Sequence, residues 1–84
     1  MVTVKFYGTF RLDSGLKTLE LSGNRVRELY PLIMEELRRT RPDSPLTDRD
    51  LKKCAIIVNG KSALPRTELK DGDTVYFLTP AAGG

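Results

Sequence analysis

Leu69-Lys70-Asp71-Gly72-Asp73-Thr74-Val75-Tyr76-Phe77-Leu78-Thr79-Pro80-Ala81-Ala82-Gly83-Gly84 closes this chain and contains, in order, a turn, a strand and an arm. Asp71-Gly72-Asp73 has turn chemistry. Thr74 to Leu78 is a β-branched and aromatic run that reads as the last strand, with Val75 and Phe77 on the core face and Tyr76 and Leu78 on the other. Pro80 fixes its own φ, cannot donate to a sheet ladder and pushes Thr79 towards an extended conformation, so the chain is expected to leave the sheet there as a stiff arm. Ala81, Ala82, Gly83 and Gly84 add almost no side-chain volume, which suits an arm that threads a narrow channel in a partner. The Gly84 carboxylate sits on a carbon without a side chain, open to attack from either face once activated, and is the expected reactive group. The expected division is therefore a domain over residues 1–78 and a flexible C-terminal tail over residues 79–84. A small-residue tail is also an ordinary way for a domain to end, so the weight falls on the rest of the chain.

Upstream, Val2, Val4 and Phe6 alternate with Thr3, Lys5 and Tyr7, the period-two pattern of a strand with one buried face, and Phe10 and Leu12 are expected to continue it. Asp13-Ser14-Gly15 reads as a turn into a second strand over Leu16 to Leu21, with Leu19 and Leu21 facing one way, so the two strands form a hairpin. Asn24 is the expected N-cap of a helix whose apolar stripe is Val26, Leu29, Tyr30, Ile33 and Leu37. Pro31 interrupts it, predicting a kink near residues 27–31 or a separate first turn. Arg41-Pro42-Asp43-Ser44-Pro45 ends the helix, and Thr47 with Asp50 resembles a capping arrangement for one short turn over Asp48 to Lys53. Ala55-Ile56-Ile57-Val58 reads as a central, largely buried strand, Asn59-Gly60 as a hairpin turn, Lys61 to Leu64 as the return strand, and Leu69 as tucked under the core. If the first and last strands are neighbours, Tyr7 joins Tyr76 and Leu78 on the outward face. That apolar patch is a candidate partner site, set against the plainer reading of scattered surface apolars.

Composition narrows the chemistry. Eighty-four residues with 39% apolar and 30% charged content make one globular domain with a modest core. No apolar run approaches the length of a membrane span, and Met1 to Lys5 reads as a strand rather than a signal peptide, so the expectation is a cytoplasmic protein without a membrane partner. The chain has no histidine, which removes the usual general base and the commonest metal ligand. Its single cysteine, Cys54, forms neither an internal disulfide nor a metal site and reads as a small buried or half-buried filler. The net charge of +3 draws on Arg38, Arg39, Arg41, Arg49, Lys52 and Lys53, with Arg38 and Arg39 at a helix C-terminus where the dipole favours cations. No aromatics interleave them, so a solvated face is expected and no nucleic-acid partner. Self-contained catalysis and a bound metal are not expected.

The order strand, strand, helix, strand, short strand, strand implies an α+β fold, a mixed sheet of four to five strands packed on one main helix: the β-grasp arrangement. In Val2-Thr3-Val4-Lys5-Phe6-Tyr7-Gly8, in Ile57-Val58-Asn59-Gly60 and in the closing block from Leu69 to Gly84, the sequence resembles the ubiquitin-like sulfur carriers, the MoaD branch foremost and ThiS more distantly. The resemblance covers the whole length. It implies that a ubiquitin-activating-like adenylating enzyme, supplying ATP and magnesium, adenylates the C-terminal glycine, here Gly84. Sulfur from a persulfide donor then displaces AMP and leaves a thiocarboxylate. An acceptor synthase, such as a molybdopterin synthase large subunit, receives that sulfur in molybdenum cofactor biosynthesis. The chain itself would bind no cofactor and act as a carried co-substrate, at most the non-catalytic small subunit of a synthase. Pro80, Ala81, Ala82 and Gly83 would thread the partner's channel, and by matching position Tyr7 and Leu78 would dock, with Tyr76 added by the strand argument. Two features depart from the molybdopterin branch: Thr79-Pro80-Ala81-Ala82 stands where that branch commonly has a double proline and bulkier or hydroxyl residues, and Pro31 interrupts the helix. The long segment from Arg39 to Cys54 favours MoaD over ThiS. Other relatives act in thiamine thiazole, tungsten cofactor, cysteine or tRNA thiolation pathways, or as modifiers joined to lysines, and these remain open.

Overall fold

Alternating burial sets the first strand: Val2, Val4 and Phe6 turn inward while Thr3, Lys5 and Tyr7 turn outward, giving β1 (Val2–Tyr7). The computed structural model describes residues 1–79. Four further strands, β2 (Thr18–Leu21), β3 (Ala55–Val58), β4 (Lys61–Ala63) and β5 (Thr74–Leu78), complete one mixed sheet in the order β2-β1-β5-β3-β4. β1 pairs antiparallel with β2 and parallel with β5, in the register Val4↔Val75, Phe6↔Phe77, Tyr7↔Leu78. β3 runs antiparallel to both β5 and β4. The last strand thus occupies the centre of the sheet, between the first strand and β3.

Helices cover one face. α2 (Leu29–Thr40) lays Leu29, Tyr30, Ile33 and Leu37 against the inward residues of β1 and β5, and all four are buried with Val26. Phe6 lies between the rings of Phe10 and Phe77, at centroid distances of 5.6 and 5.8 Å, and Tyr30 tilts against Phe77 at 5.9 Å. Burial of such rings supplies the largest single favourable contributions available to a domain of this size. α2 ends where Pro42 follows Arg41, and Arg38 holds the next loop by donating to the Ser44 carbonyl at 2.5 Å and to that of Leu46. α3 (Asp48–Lys52) starts at Thr47, whose backbone N–H and hydroxyl donate to the Asp50 carboxylate at 2.8 and 3.0 Å, as the Thr47/Asp50 spacing predicts. Asn59 (φ 50°) and Gly60 (φ 85°) both take left-handed conformations, the requirement of a tight hairpin turn between β3 and β4.

The structure corrects several expectations. Phe10 and Leu12 do not prolong β1: Gly8 (φ 84°) breaks the strand, and residues 9–14 form a short helix, α1 (Thr9–Ser14), that buries Phe10 and exposes Leu12. The first hairpin therefore closes through a helical turn rather than a tight loop. Asn24 is not an N-cap. The helical segment opens one residue later with a separate 3₁₀ turn (Val26–Glu28), and the Asn24 backbone instead donates to the Glu28 carboxylate at 2.9 Å. That separate turn is one of the two outcomes Pro31 predicts, because the proline sits in the first turn of α2, where a missing N–H costs little. Finally, β3 lies one strand from the edge and only Ile56 in it is fully buried. The sheet has one covered face, so Ala55 and Ile57 look outward. The five-strand sheet wrapped on α2 is the expected ubiquitin-like β-grasp.

Candidate functional site: the outer sheet face and the tail root

Parallel pairing of β1 with β5 decides what the uncovered face presents. With Tyr7 opposite Leu78 and Lys5 opposite Tyr76, the two tyrosines stack at 5.6 Å between centroids, 22° from coplanar. The Arg11 guanidinium lies 5.9 Å above the Tyr7 ring. β3 extends the patch, since Ala55 is paired with Leu78 and Ile57 with Tyr76. Tyr7 is 40% exposed, while Tyr76, Leu78 and Ile57 are half-buried, so the face offers flat aromatic and aliphatic surface rather than a pocket.

Of the residues singled out in the sequence, Tyr7, Tyr76 and Leu78 are brought together on this face. Pro80, Ala81, Ala82, Gly83 and Gly84 lie outside the described residues. Sequence reasoning missed Ile57, although its neighbours Ile56 and Val58 turn inward and period-two alternation places residue 57 outward. It also missed the surroundings of Thr79, the point from which the tail departs. The Thr79 backbone N–H donates to the Tyr7 carbonyl at 3.2 Å, its hydroxyl accepts from the Phe10 N–H at 3.0 Å, and the Cys54 sulfur lies 3.6 Å from that hydroxyl. Beside Thr79 a cleft of about 570 Å³ is lined by Gly8, Thr9, Arg11, Leu12, Gly15 and Lys17. Leu12, at 77% exposure, stands at its rim.

Cys54 is buried, as a filler residue should be. Burial pushes its thiol above the ordinary range, the hydrogen bond with Thr79 pulls it partly back, and the charge of Asp50 pushes it further up. That is the opposite of the activation a nucleophilic thiol needs. Among the described residues, no cluster of three or more His, Cys, Asp or Glu side chains is arranged to hold a metal, and no helix is long and apolar enough to cross a membrane.

A family model described as the ThiS family matches residues 4–84. Among curated proteins no significant match exists. Solved structures give closer geometry. A chain in the complex of subunits 1 and 2 of molybdopterin-converting factor from Helicobacter pylori is 28% identical, with a TM-score of 0.63, over 99% of this chain and 97% of that one. A chain in the BexX/CysO complex of Amycolatopsis orientalis is 26% identical, with a TM-score of 0.63, over the full length of both. SAMP1 from Haloferax volcanii, at 19% identity over 99% of this chain and 98% of that one, has a TM-score of 0.68 and speaks for the fold alone. The first two of these structures are of protein–protein complexes. With the family match running from β1 through both closing glycines, this chain belongs to the ThiS family, the MoaD/ThiS group of small ubiquitin-like sulfur carriers.

Proposed function

We propose that this chain carries sulfur on its C-terminus, with Gly84 as the reactive residue, Pro80, Ala81, Ala82 and Gly83 as the threading segment, and Tyr7, Tyr76, Leu78 and Ile57 as the docking face. A carboxylate oxygen of Gly84 attacks the α-phosphorus of ATP on a partner adenylating enzyme, releasing pyrophosphate. The terminal sulfur of a persulfide donor then attacks the acyl carbon and the C–O bond to AMP breaks, giving an acyl disulfide. A thiol attacks the donor-side sulfur, the S–S bond breaks, and the thiocarboxylate is released as the donor and the thiol are oxidised to a disulfide. ATP and magnesium belong to the partner. The acceptor is a synthase large subunit, with molybdopterin formation the favoured pathway, supported by the likeness to a chain of the Helicobacter pylori molybdopterin-converting factor complex. The observation that carries the reading is that the family match continues through the last two glycines of the sequence.

The test is intact-mass spectrometry of the chain after incubation with ATP, magnesium, a partner adenylating enzyme, a persulfide donor and a thiol reductant. The expected product has one oxygen replaced by sulfur, and it is absent when Gly84 is removed. Adducts linked to lysines, without the sulfur product, would replace the carrier reading with a modifier. Delivery of the loaded sulfur to a molybdopterin synthase large subunit checks the pathway.

A further inference from the structure

α1 lacks a cap of its own. Its N-cap residue is Gly8 (φ 84°, ψ −157°), which has no side chain to accept a hydrogen bond, and the first-turn N–H groups of any helix need such an acceptor. The acceptor for the Phe10 N–H is the Thr79 hydroxyl, 69 residues away in sequence and 3.0 Å away in space. The Thr79 N–H meanwhile adds one more rung beyond the parallel β1–β5 pairing by donating to the Tyr7 carbonyl at 3.2 Å. The close approach depends on residue 8 being glycine: a Cβ there would stand 2.7 Å from the Thr79 carbonyl oxygen and 3.2 Å from both its N and its Cβ. From the other side, the Cys54 sulfur completes the cradle. Thr79 is thus held by the end of β1, by the first turn of α1 and by the residue preceding β3. An aliphatic residue at 79 would keep only the ladder bond. A proline would keep neither that bond nor the hydroxyl contacts.

We propose that Thr79 is a positioning residue: its hydroxyl, by capping α1, fixes residue 79 at the edge of the outer face, the point from which the sequence continues to Gly84. This rests on the sulfur-carrier reading above. Ordering that a partner would otherwise impose on the tail root is already present in the free protein, so the effect falls on capture and not on the chemical step.

The experiment compares wild type, Thr79→Val and Thr79→Ser, reading hydrogen exchange at the Phe10 amide by NMR and steady-state ATP–pyrophosphate exchange with the adenylating enzyme. Thr79→Val keeps shape and β-branching but removes the hydroxyl. It is expected to speed Phe10 exchange roughly tenfold, the scale of one lost, partly buried hydrogen bond. It should also raise KM for the carrier about fivefold while kcat moves no more than about twofold. Thr79→Ser should restore both. Gly8→Ala, which displaces Thr79 without touching the hydroxyl, should raise KM in the same direction. Unchanged Phe10 exchange in Thr79→Val overturns the clamp. Faster Phe10 exchange with an unaltered KM reduces it to a structural cap and overturns the positioning role. If wild type itself supports no pyrophosphate exchange, the sulfur-carrier reading falls and the positioning role with it, a result distinct from a wild type that turns over no better than Thr79→Val.

Discussion

Tyr76 faces outward because Val75 and Phe77 face inward, and its neighbours Tyr7, Leu78 and Ile57 come from three strands. Replacing it with aspartate places a charge at the middle of this apolar face, facing solvent rather than the core. Tyr76→Asp is expected to weaken binding to the adenylating enzyme at least about 30-fold, the scale of losing an aromatic anchor, measured by calorimetric titration. The melting temperature should fall by roughly 4–8 °C, since the stack on Tyr7 is lost while the buried core is untouched, so binding is measured where both proteins are folded. Cys54 bears on stability instead. Because burial raises its thiol pKa in the folded state, the folded chain holds that proton more tightly than the unfolded chain does. The resulting stability is complete below the ordinary thiol value, about 8.5, and is lost as pH rises through the higher folded value. Tyr30 is shifted the same way, by its own burial first and then by the charges of Cys54 and Asp48, and adds to the loss at still higher pH. Melting temperatures measured from pH 7 to 11 should therefore fall on the alkaline side. Cys54→Val should flatten the first part of that fall, while Tyr30 governs the later part. An alkaline limb identical in Cys54→Val would assign it elsewhere.

The elements differ in how local their causes are. β1, β5 and the β3–β4 hairpin rest on alternation and on turn residues that few other sequences satisfy. At Gly60, with φ 85° and no heavy atom near an added Cβ, the cost of a side chain is purely that of the left-handed backbone. Gly60→Ala is expected to cost about 1 kcal/mol, and by urea denaturation the midpoint should fall with the slope unchanged. In thermal terms this is a drop of roughly 4–8 °C for a domain of this length. α1 is the contrary case. Residues 9–14 contain no periodic stripe long enough to announce a helix, their cap is Thr79, one residue beyond β5, and Gly15 (φ 74°) closes the segment with its N–H on the Arg11 carbonyl at 2.9 Å. The pattern Phe10, Leu12 satisfies a strand template equally well, which is why the strand reading failed there. The Thr47/Asp50 box was legible because it depends on two side chains three residues apart, whereas the separate turn before α2 was one of two outcomes read from Pro31, and its Val26 and Arg27 N–H groups donate to the distant carbonyls of Thr67 and Pro65.

For the molecule as a whole, the fold puts its final strand at the centre of the sheet and so couples the tail root to the core. The buried residues that hold the domain together run from Val2 to Phe77. Deleting Gly83 and Gly84 removes none of those core residues and is expected to leave the melting temperature within about 1 °C, while abolishing sulfur loading in the intact-mass assay. Loading that survives the deletion would remove the acyl end from the mechanism. The chain's own residues were sufficient to specify the succession of strands along the sequence, the helix stripe and the tight hairpin turn, because each is written in neighbours or in a short period. They also pointed to Tyr7, Tyr76 and Leu78, which needed only one assumption about which strands are adjacent. What remained hidden was everything that joins distant positions: Ile57 beside Tyr76, the Thr79 hydroxyl capping α1, and Gly8 making room for it. Those relations depend on strand register and on the side of the sheet left uncovered, and both are set by the packing of the whole core rather than by any local preference.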